Sequence, residues 1–480
     1  MEAIEFGTDG IRGRVGTWPM DPIGAMQIGQ GVGAYLRHKT ESPRVLIGRD
    51  TRLSGDALMA ALASGLMSQG VTVVDVGVIT TAGVAYLTGR YGMEAGIVIS
   101  ASHNPWTENG IKLIGPAGLK LSDDEEEIIE GRIAQAIRGE LESSPFGRLE
   151  QHPEWQEAYI QHLIEPFDSL AFAGLRVALD CSNGAASHIA PACFARLGCR
   201  TIVMHAAPDG VNINQGCGSE VVRAGQSDLP HVARAASVQL AVAFDGDADR
   251  AILVDEAGNL IDGDHILYII GTYLKGKGAL RGNAVVTTQM ANSGLDRALA
   301  RHGINTVRTR VGDRYVMQEM LEKGYILGGE QSGHIVIYDE THTTGDGIYT
   351  ALFLASVLVE NGPTTLQELA APVTKLPQVI ASARVESKPP LDTLESFLRE
   401  RDTVLRELGD EATVNVRYSG TEPLVRVMVE GTTAQSLEDV ARQAVRLCRA
   451  VQKAVGGGDE DIDIKDCTTG ASLDLPTTGI

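Results

Sequence analysis

The chain has 480 residues, 43% hydrophobic and only 21% charged, which excludes a disordered protein and points to roughly three or four domains with sizeable cores. A formal charge of −21 makes it a poor general ligand for nucleic acid or an anionic membrane, so an anionic substrate would need positive charge gathered locally. The six cysteines lack the spacing of a disulfide scaffold, the lack of a CxxC pair argues against a structural zinc site, and with no leader-like start or membrane-length apolar run a reducing cytoplasm is expected.

From residue 44, RVLIGRDTRLSGDALMAALASGLMSQGVTVVDVG reads as an apolar strand, a polar loop ending at Ser54-Gly55, a helix-period run, Gly70 and a second strand. GIVISASHNPWTENGIK then starts as a buried strand and breaks into a loop, with Asn104-Pro105 imposing a turn after Ser102. A hydrolytic serine would need a base. His103 is adjacent, but neighbouring side chains on a strand or helix point apart, and G-x-S-x-G is absent. A phosphorylated serine needs only a metal and donors for its phosphate, and an ordinary polar turn is a third reading. Ser122 and Glu125 form a capping box for SDDEEEIIEGRIAQAI, and the polar stretch 138–151 is a candidate linker.

RVALDCSNGAASHIAPACFARLGCRTIVM repeats the strand, loop, helix, glycine, strand pattern, with Asn183-Gly184 and Gly198 in the corresponding places. LAVAFDGDADRAILVDEAG follows, bringing together Asp245, Asp247 and Asp249 ahead of Arg250. Three like charges so close are costly unless a cation sits among them, and hard oxygen ligands suit Mg²⁺ or Ca²⁺ better than zinc. An EF-hand loop would put Glu256 at its last position but needs Gly where Arg250 stands; a solvated acidic turn is the other alternative. DEAGNLIDG, 255–263, reads as a join.

GTYLKGKG, 271–278, approaches a P-loop, but Gly278 replaces the hydroxyl residue and helix-like HILYII precedes it, so nucleotide binding is rejected. NAVVTTQMANSGLDRALARHGINTVRTR is a third copy of the pattern, and the copies stand too far apart for a solenoid of roughly 20–50-residue repeats. GGEQSGHIVI sets Glu330, Ser332 and His334 on alternate residues; if extended they share one side, suited to sugar hydroxyls, and otherwise they form a turn. The segment 371–385 reads as the passage to a last unit of strands and one helix, SLEDVARQAVRLCRAV, which implies a small α+β domain. In NVRYSGTEPLVRVMV, Arg417, Ser419, Gly420, Thr421 and Arg426 surround a tight turn suited to a phosphate dianion, or the arginines are structural. The Gly-rich, acidic end beyond it is expected to be a loose tail.

SASHNP, DGDADR, GEQSGH and RYSGTEPLVR, in that order, resemble the α-D-phosphohexomutase family over residues 4 to 453; its members carry a phosphoserine, a metal, a sugar and a phosphate loop, one per domain. FGTDGIRG, DGVNINQGCGS, TRVGDRYV, Gln331 and SGTEP are most similar to the bacterial branch acting on glucosamine phosphates. The resemblance implies an α/β protein of three similar mixed α/β domains and a C-terminal α+β domain around a central cleft. The expected limits are a phosphoserine-loop domain at 1–150, a metal-binding domain at 151–258, a sugar-binding domain at 259–370, a phosphate-binding domain at 371–455 and a flexible acidic tail at 456–480. The implied activity interconverts glucosamine 6-phosphate and glucosamine 1-phosphate through a phosphoserine and a 1,6-bisphosphate. Phosphomannomutase/phosphoglucomutase activity, a non-catalytic sugar-phosphate sensor and a metal-dependent phosphatase are the alternatives.

By the same resemblance Ser102 is the phosphorylated nucleophile and, with Asp245, Asp247 and Asp249, binds one Mg²⁺ per subunit. Arg12, Lys112 and Arg250 would lie near the transferring group, Glu330, Ser332 and His334 by the sugar, and Arg417, Ser419, Gly420, Thr421 and Arg426 on the phosphate that is not reacting. A sugar 1,6-bisphosphate or a kinase would first phosphorylate Ser102. The expected partner is a small phosphosugar, with no nucleic acid and no membrane, and a homodimer is possible. Ala248 stands where family metal loops usually carry Gly, which should spare the ligands and stiffen the turn.

Overall fold

A computed structural model describes residues 4–7, 9–142, 144–419, 422–457 and 462–475, and four sheets follow one another along the chain. The first holds β1 (Ile11–Arg14), β2 (Arg44–Arg49), β3 (Thr72–Val78), β4 (Ala95–Ile99), β5 (Glu108–Ile114) and β6 (Leu149–Gln151), in the order β1-β5-β4-β2-β3-β6. The second holds β7 (Arg176–Asp180), β8 (Arg200–Met204), β9 (Leu240–Phe244), β10 (Ala251–Val254) and β11 (Leu260–Ile261), in the order β11-β10-β9-β7-β8. The third holds β12 (Ala284–Thr288), β13 (Asn305–Thr309), β14 (Leu327–Gly329) and β15 (Ile335–Ile337), in the order β13-β12-β14-β15. The fourth holds β16 (Gln378–Arg384), β17 (Thr413–Tyr418), β18 (Leu424–Glu430) and β19 (Asp463–Asp466), antiparallel throughout in the order β17-β18-β16-β19.

The three repeated stretches fold as read. β2 and β3, β7 and β8, and β12 and β13 are parallel pairs, crossed over by the helices Gly55–Ser68, Ala186–Arg196 and Ser293–Ala300. Beside each pair lies an antiparallel one: β4 with β5, β9 with β10, β14 with β15. The loop bearing Ser102, the loop bearing the three aspartates and the turn at Glu330–His334 are therefore the same connection in three equivalent sheets. That equivalence explains how residues far apart in sequence can present one kind of loop to one place.

Helix Pro22–Lys39 starts on Asp21, whose side chain accepts from the Gly24 amide, and crosses helix Gly55–Ser68 very closely. A Cβ on Gly29 would stand 2.2 Å from the Leu62 carbonyl oxygen and one on Gly65 2.1 Å from that of Met26, so both positions need glycine. Helix Asp123–Arg138 carries the expected Ser122–Glu125 capping box. One continuous apolar cluster runs through the first three sheets, including Val84, Phe194 and Leu352, whereas the fourth has its own around Val427, Val445 and Cys448.

Five expectations need correction. The linker at 138–151 ends in β6, a three-residue edge strand too short to show a period. The join read at 255–263 contains β11, which adds to the second sheet. The passage at 371–385 contains β16, which lies between β18 and β19. The fourth unit has a second helix, Glu395–Leu408, beside Leu437–Val455. Within the expected loose tail, β19 pairs with β16, because the alternation in DIDIKD buries Ile462 and Ile464 beneath a charged outer face. Among the described residues no helix is long and apolar enough to cross a membrane.

Candidate active site

Ser102 follows β4 with its backbone in the left-handed region, φ 52°, and is buried. Its carbonyl accepts from Arg52 Nη2 and Asn214 Nδ2, both at 2.9 Å. The Arg52 guanidinium also reaches the carbonyls of Asn104 (2.8 Å), Pro105 (2.5 Å) and Glu108 (3.0 Å), while Asp50 neutralises it at 2.8 Å in a fully buried pair. One arginine thus braces the whole Ser102 loop.

The second sheet's loop brings Asp245, Asp247 and Asp249, all buried, against this serine, with Ser102 Oγ donating to Asp245 Oδ2 at 2.5 Å. Asp247 accepts from Thr81 Oγ1 at 2.7 Å and Lys112 Nζ at 2.8 Å, and the same ammonium is 3.5 Å from Asp249 and 2.9 Å from Asp9. An oxygen from each of the three aspartates lies within 4.8 Å of the others. Asp247 Oδ1 and Asp249 Oδ1 are buried without a hydrogen-bond partner among the described residues. Paired hard oxygens with nothing to satisfy them fit a divalent cation. Burial, then the charges of Asp249 and Asp247, push the Asp245 carboxyl well above its ordinary range, a penalty that such a cation would lift. Burial alone would lower Lys112, but Asp247, Asp9 and Asp249 together hold its ammonium well above the usual lysine range. Ala248 sits at φ 55° in this loop.

Arg250 donates its backbone N–H to Asp245 Oδ1 (3.2 Å), and its guanidinium is 3.4 Å from His103 Nδ1 and 3.5 Å from Glu220. His103 Nδ1 is also 3.4 Å from Ser102 Oγ. The expectation that adjacent side chains point apart fails here, because it holds for strand or helix and Ser102 is in neither. Burial, followed by Arg250, lowers His103 to about 4, so its imidazole is neutral near pH 7. Arg12, on β1, is ion-paired to Asp9.

Glu330, Ser332 and His334 do not lie along an extended run. They form the β14–β15 turn, closed by Gly333 N–H on the Glu330 carbonyl at 3.0 Å with Gly333 at φ 92°. Ser332 Oγ is 3.4 Å from Glu330, and His334 Nε2 is 3.5 Å from Asp313. A bridge between Arg250 and His334, with Ala251 N–H on the Gly333 carbonyl at 3.0 Å, joins this turn to the loop of the three aspartates. Beyond His334 a cavity of about 670 Å³ runs between Lys120–Glu125 and Arg310–Glu322, a size suited to a small molecule. In it Lys120 bridges Asp9 (2.8 Å) and Asp313 (2.6 Å). Arg52, Thr81, Lys120, Asp313 and Asn214 escaped the sequence reading; all act through partners remote in the chain, and the only local signals were DTRLSG, TRVGDRYV and DGVNINQGCGS.

In the fourth sheet Arg417 and Arg426 are direct cross-strand partners, a like-charge juxtaposition that is unfavourable by itself and suits an anion between them. Burial and then Arg426 lower the Arg417 pKa. Arg426 pairs with Glu422 at 2.8 Å, and Ser419 is buried with its carbonyl on Lys388 Nζ at 2.6 Å. Gly420 and Thr421 lie outside the described residues. Among those described, no hydrogen bond or ion pair ties Arg417, Ser419 or Arg426 to the Ser102 cluster.

Four family domains match in sequence order: phosphoglucomutase/phosphomannomutase alpha/beta/alpha domain I over 3–139, domain II over 157–258, domain III over 262–376 and the C-terminal domain over 365–447. The chain is 44% identical over 456 residues to a phosphoglucosamine mutase of Koribacter versatilis, covering 94% of this chain and 97% of that protein. A phosphoglucosamine mutase of Brevibacillus brevis is 46% identical over 450 residues, 92% and 97% of the two chains. Among solved structures, a phosphoglucomutase/phosphomannomutase family protein of Burkholderia thailandensis superposes with a TM-score of 0.77 at 25% identity over 94% of this chain and 98% of that one. An Aspergillus fumigatus N-acetylphosphoglucosamine mutase, in complex with GlcNAc-6P and magnesium, shares the fold at a TM-score of 0.65 and 17% identity, over 95% and 96%. With its four domains matched in order and the loops of its first three sheets meeting at one aspartate cluster, the chain belongs to the α-D-phosphohexomutase family.

Proposed function

We propose that the chain interconverts glucosamine 6-phosphate and glucosamine 1-phosphate through a phosphorylated Ser102. The observation that carries the chemistry is the Ser102 hydroxyl 2.5 Å from Asp245 inside a buried three-aspartate cluster contributed by a different sheet. The sugar rests on relatives of 44–46% identity named phosphoglucosamine mutase.

Asp245, Asp247 and Asp249 are the residues to hold Mg²⁺, which when bound offsets charge on the transferring phosphoryl. Arg250, Lys112 and Arg12 add positive charge at the same place. In the first half-reaction the P–O bond to Ser102 Oγ breaks as one forms to sugar O1. The O1 proton leaves and Ser102 ends as a hydroxyl. Neutral His103, with Nδ1 3.4 Å from Oγ, is the group placed to carry that proton. The 1,6-bisphosphate then reorients, its 6-phosphoryl passes to Ser102 Oγ, O6 regains a proton and glucosamine 1-phosphate leaves. Glu330, Ser332 and His334 serve the sugar hydroxyls, and Arg417, Ser419, Gly420, Thr421 and Arg426 grip whichever phosphate is not reacting. A sugar 1,6-bisphosphate or a kinase supplies the first phosphoryl.

Intact-mass measurement of the fresh protein tests this together with turnover of glucosamine, glucose and mannose phosphates. A phosphoryl adduct lost in Ser102→Ala, with turnover down by about a thousandfold or more, is the expected result. Full activity in Ser102→Ala would refute the phosphoserine, preference for mannose or glucose phosphate would reassign the sugar, and steady release of inorganic phosphate would make the protein a phosphatase.

A further inference from the structure

Behind the Ser102 loop, three ligand-type side chains from three separate segments converge: Asp180 at the end of β7, His205 just past β8 and Cys217 in the loop 205–218. A carboxylate oxygen, a ring nitrogen and the Sγ all lie within 4.8 Å of one another. Asp180 and Cys217 are buried, while His205 is partly open and gives the site a route to solvent. The Asp180 carboxylate is steered by the backbone N–H groups of Ser182 (2.9 Å) and Gly218 (3.1 Å), each of which leaves its oxygen a second lone pair.

His205 Nδ1 is itself buried and 3.1 Å from Asp180 Oδ1, yet among the described residues it makes no aligned hydrogen bond. The two atoms make an ion pair when the imidazole is protonated, and they also stand near the separation of ligands on a tetrahedral ion: bonds of about 2.0–2.2 Å leave them roughly 3.3–3.5 Å apart. A Cys-His-Asp nucleophile is the competing reading, but it needs the thiol on the imidazole, whereas Cys217 Sγ accepts from Asn183 Nδ2 at 3.8 Å and among the described residues no hydrogen bond links it to His205. Mixed sulfur, nitrogen and oxygen donors favour a borderline-soft ion over Mg²⁺.

The geometry points to a second cation site, in which Asp180, His205 and Cys217 bind a divalent ion of the Zn²⁺ class with a fourth position left for water. Its role is to brace the phosphoserine loop. Asn214, in the loop that the ion would pin, donates to the carbonyls of Ser102 (2.9 Å) and Asn104 (3.0 Å). Asn183, beside Cys217, accepts from Thr51 Oγ1 at 2.5 Å through its carbonyl. No CxxC spacing announces the site, because each ligand comes from a different connection of the second sheet.

Titrating the full chain with Co²⁺ as the probe tests it. One equivalent is expected to give a thiolate-to-cobalt charge-transfer band that persists in excess Mg²⁺ and in Asp245→Asn. The band disappears in Cys217→Ser, Co²⁺ affinity falls about tenfold or more in His205→Ala, and hydrogen exchange across 209–218 slows on loading. His205 is partly exposed, so its variant keeps the test alive if Cys217→Ser does not fold. A band that survives Cys217→Ser, unchanged affinity in His205→Ala, or no band in large excess of Co²⁺ overturns the site.

Discussion

Lys112 pairs with Asp247, Asp9 and Asp249 and among the described residues is the one ion-pair partner of Asp247, so replacing it leaves that fully buried carboxylate without a counter-charge. Lys112→Met should lose about 3–5 kcal/mol of stability. Part of that loss should return with Mg²⁺, seen as a larger metal-dependent rise in Tm than in the parent. Ala248 is buried in the left-handed region, where a Cβ costs about 1–2 kcal/mol. Ala248→Gly relieves that strain against a smaller entropic loss, and urea unfolding should show a gain of about 0.5–1 kcal/mol. His162 is stacked between Tyr86 (4.0 Å) and His342 (4.4 Å), and burial, then His342, lowers it to about 4. Between that value and the ordinary histidine value of about 6.5 the unfolded chain binds more protons than the folded one, so stability falls as pH drops through this window. His162→Phe keeps the stacked ring and should flatten the fall by about 1 kcal/mol after allowance for solvent screening. The aspartates were legible because three closely spaced like charges demand a cation; Arg52 and Lys120 were not, because a basic residue shows nothing of its role until the fold brings the Ser102–Glu108 carbonyls or Asp313 to it.

The crossing of helices Pro22–Lys39 and Gly55–Ser68 is set by Gly29 and Gly65 against the opposing carbonyls. Gly65→Ala should force the helices apart and cost about 1–3 kcal/mol, read as a lower Tm with secondary structure retained. The long periodic stretches were readable in the sequence: the three strand–helix–strand units and the Ser122 box need only local pattern. What local pattern misses is pairing. β6, β11 and β19 are short strands, of three, two and four residues, that exist because a neighbouring edge accepts them. The Glu330–His334 run stayed open between strand and turn for a related reason: alternation is meaningful only if the chain is extended, and Gly333 turns it back.

Three sheets share one interior while the fourth keeps its own, and the junction between them is polar. There Lys375 meets Asp262 and Asp264, each at 2.5 Å, Ser293 N–H meets Glu430 at 3.1 Å, and Arg223 reaches the Cys467 carbonyl at 3.0 Å. Calorimetry should therefore resolve a small transition for the fourth unit ahead of a large one. A separate interior also makes this unit the exchangeable part of the protein. The first three sheets cannot be parted without tearing a common core, but residues 377–475 could be traded with a relative of different sugar preference as a cassette. Chimeras cut at that border would ask whether specificity travels with the fourth unit or stays with the frame.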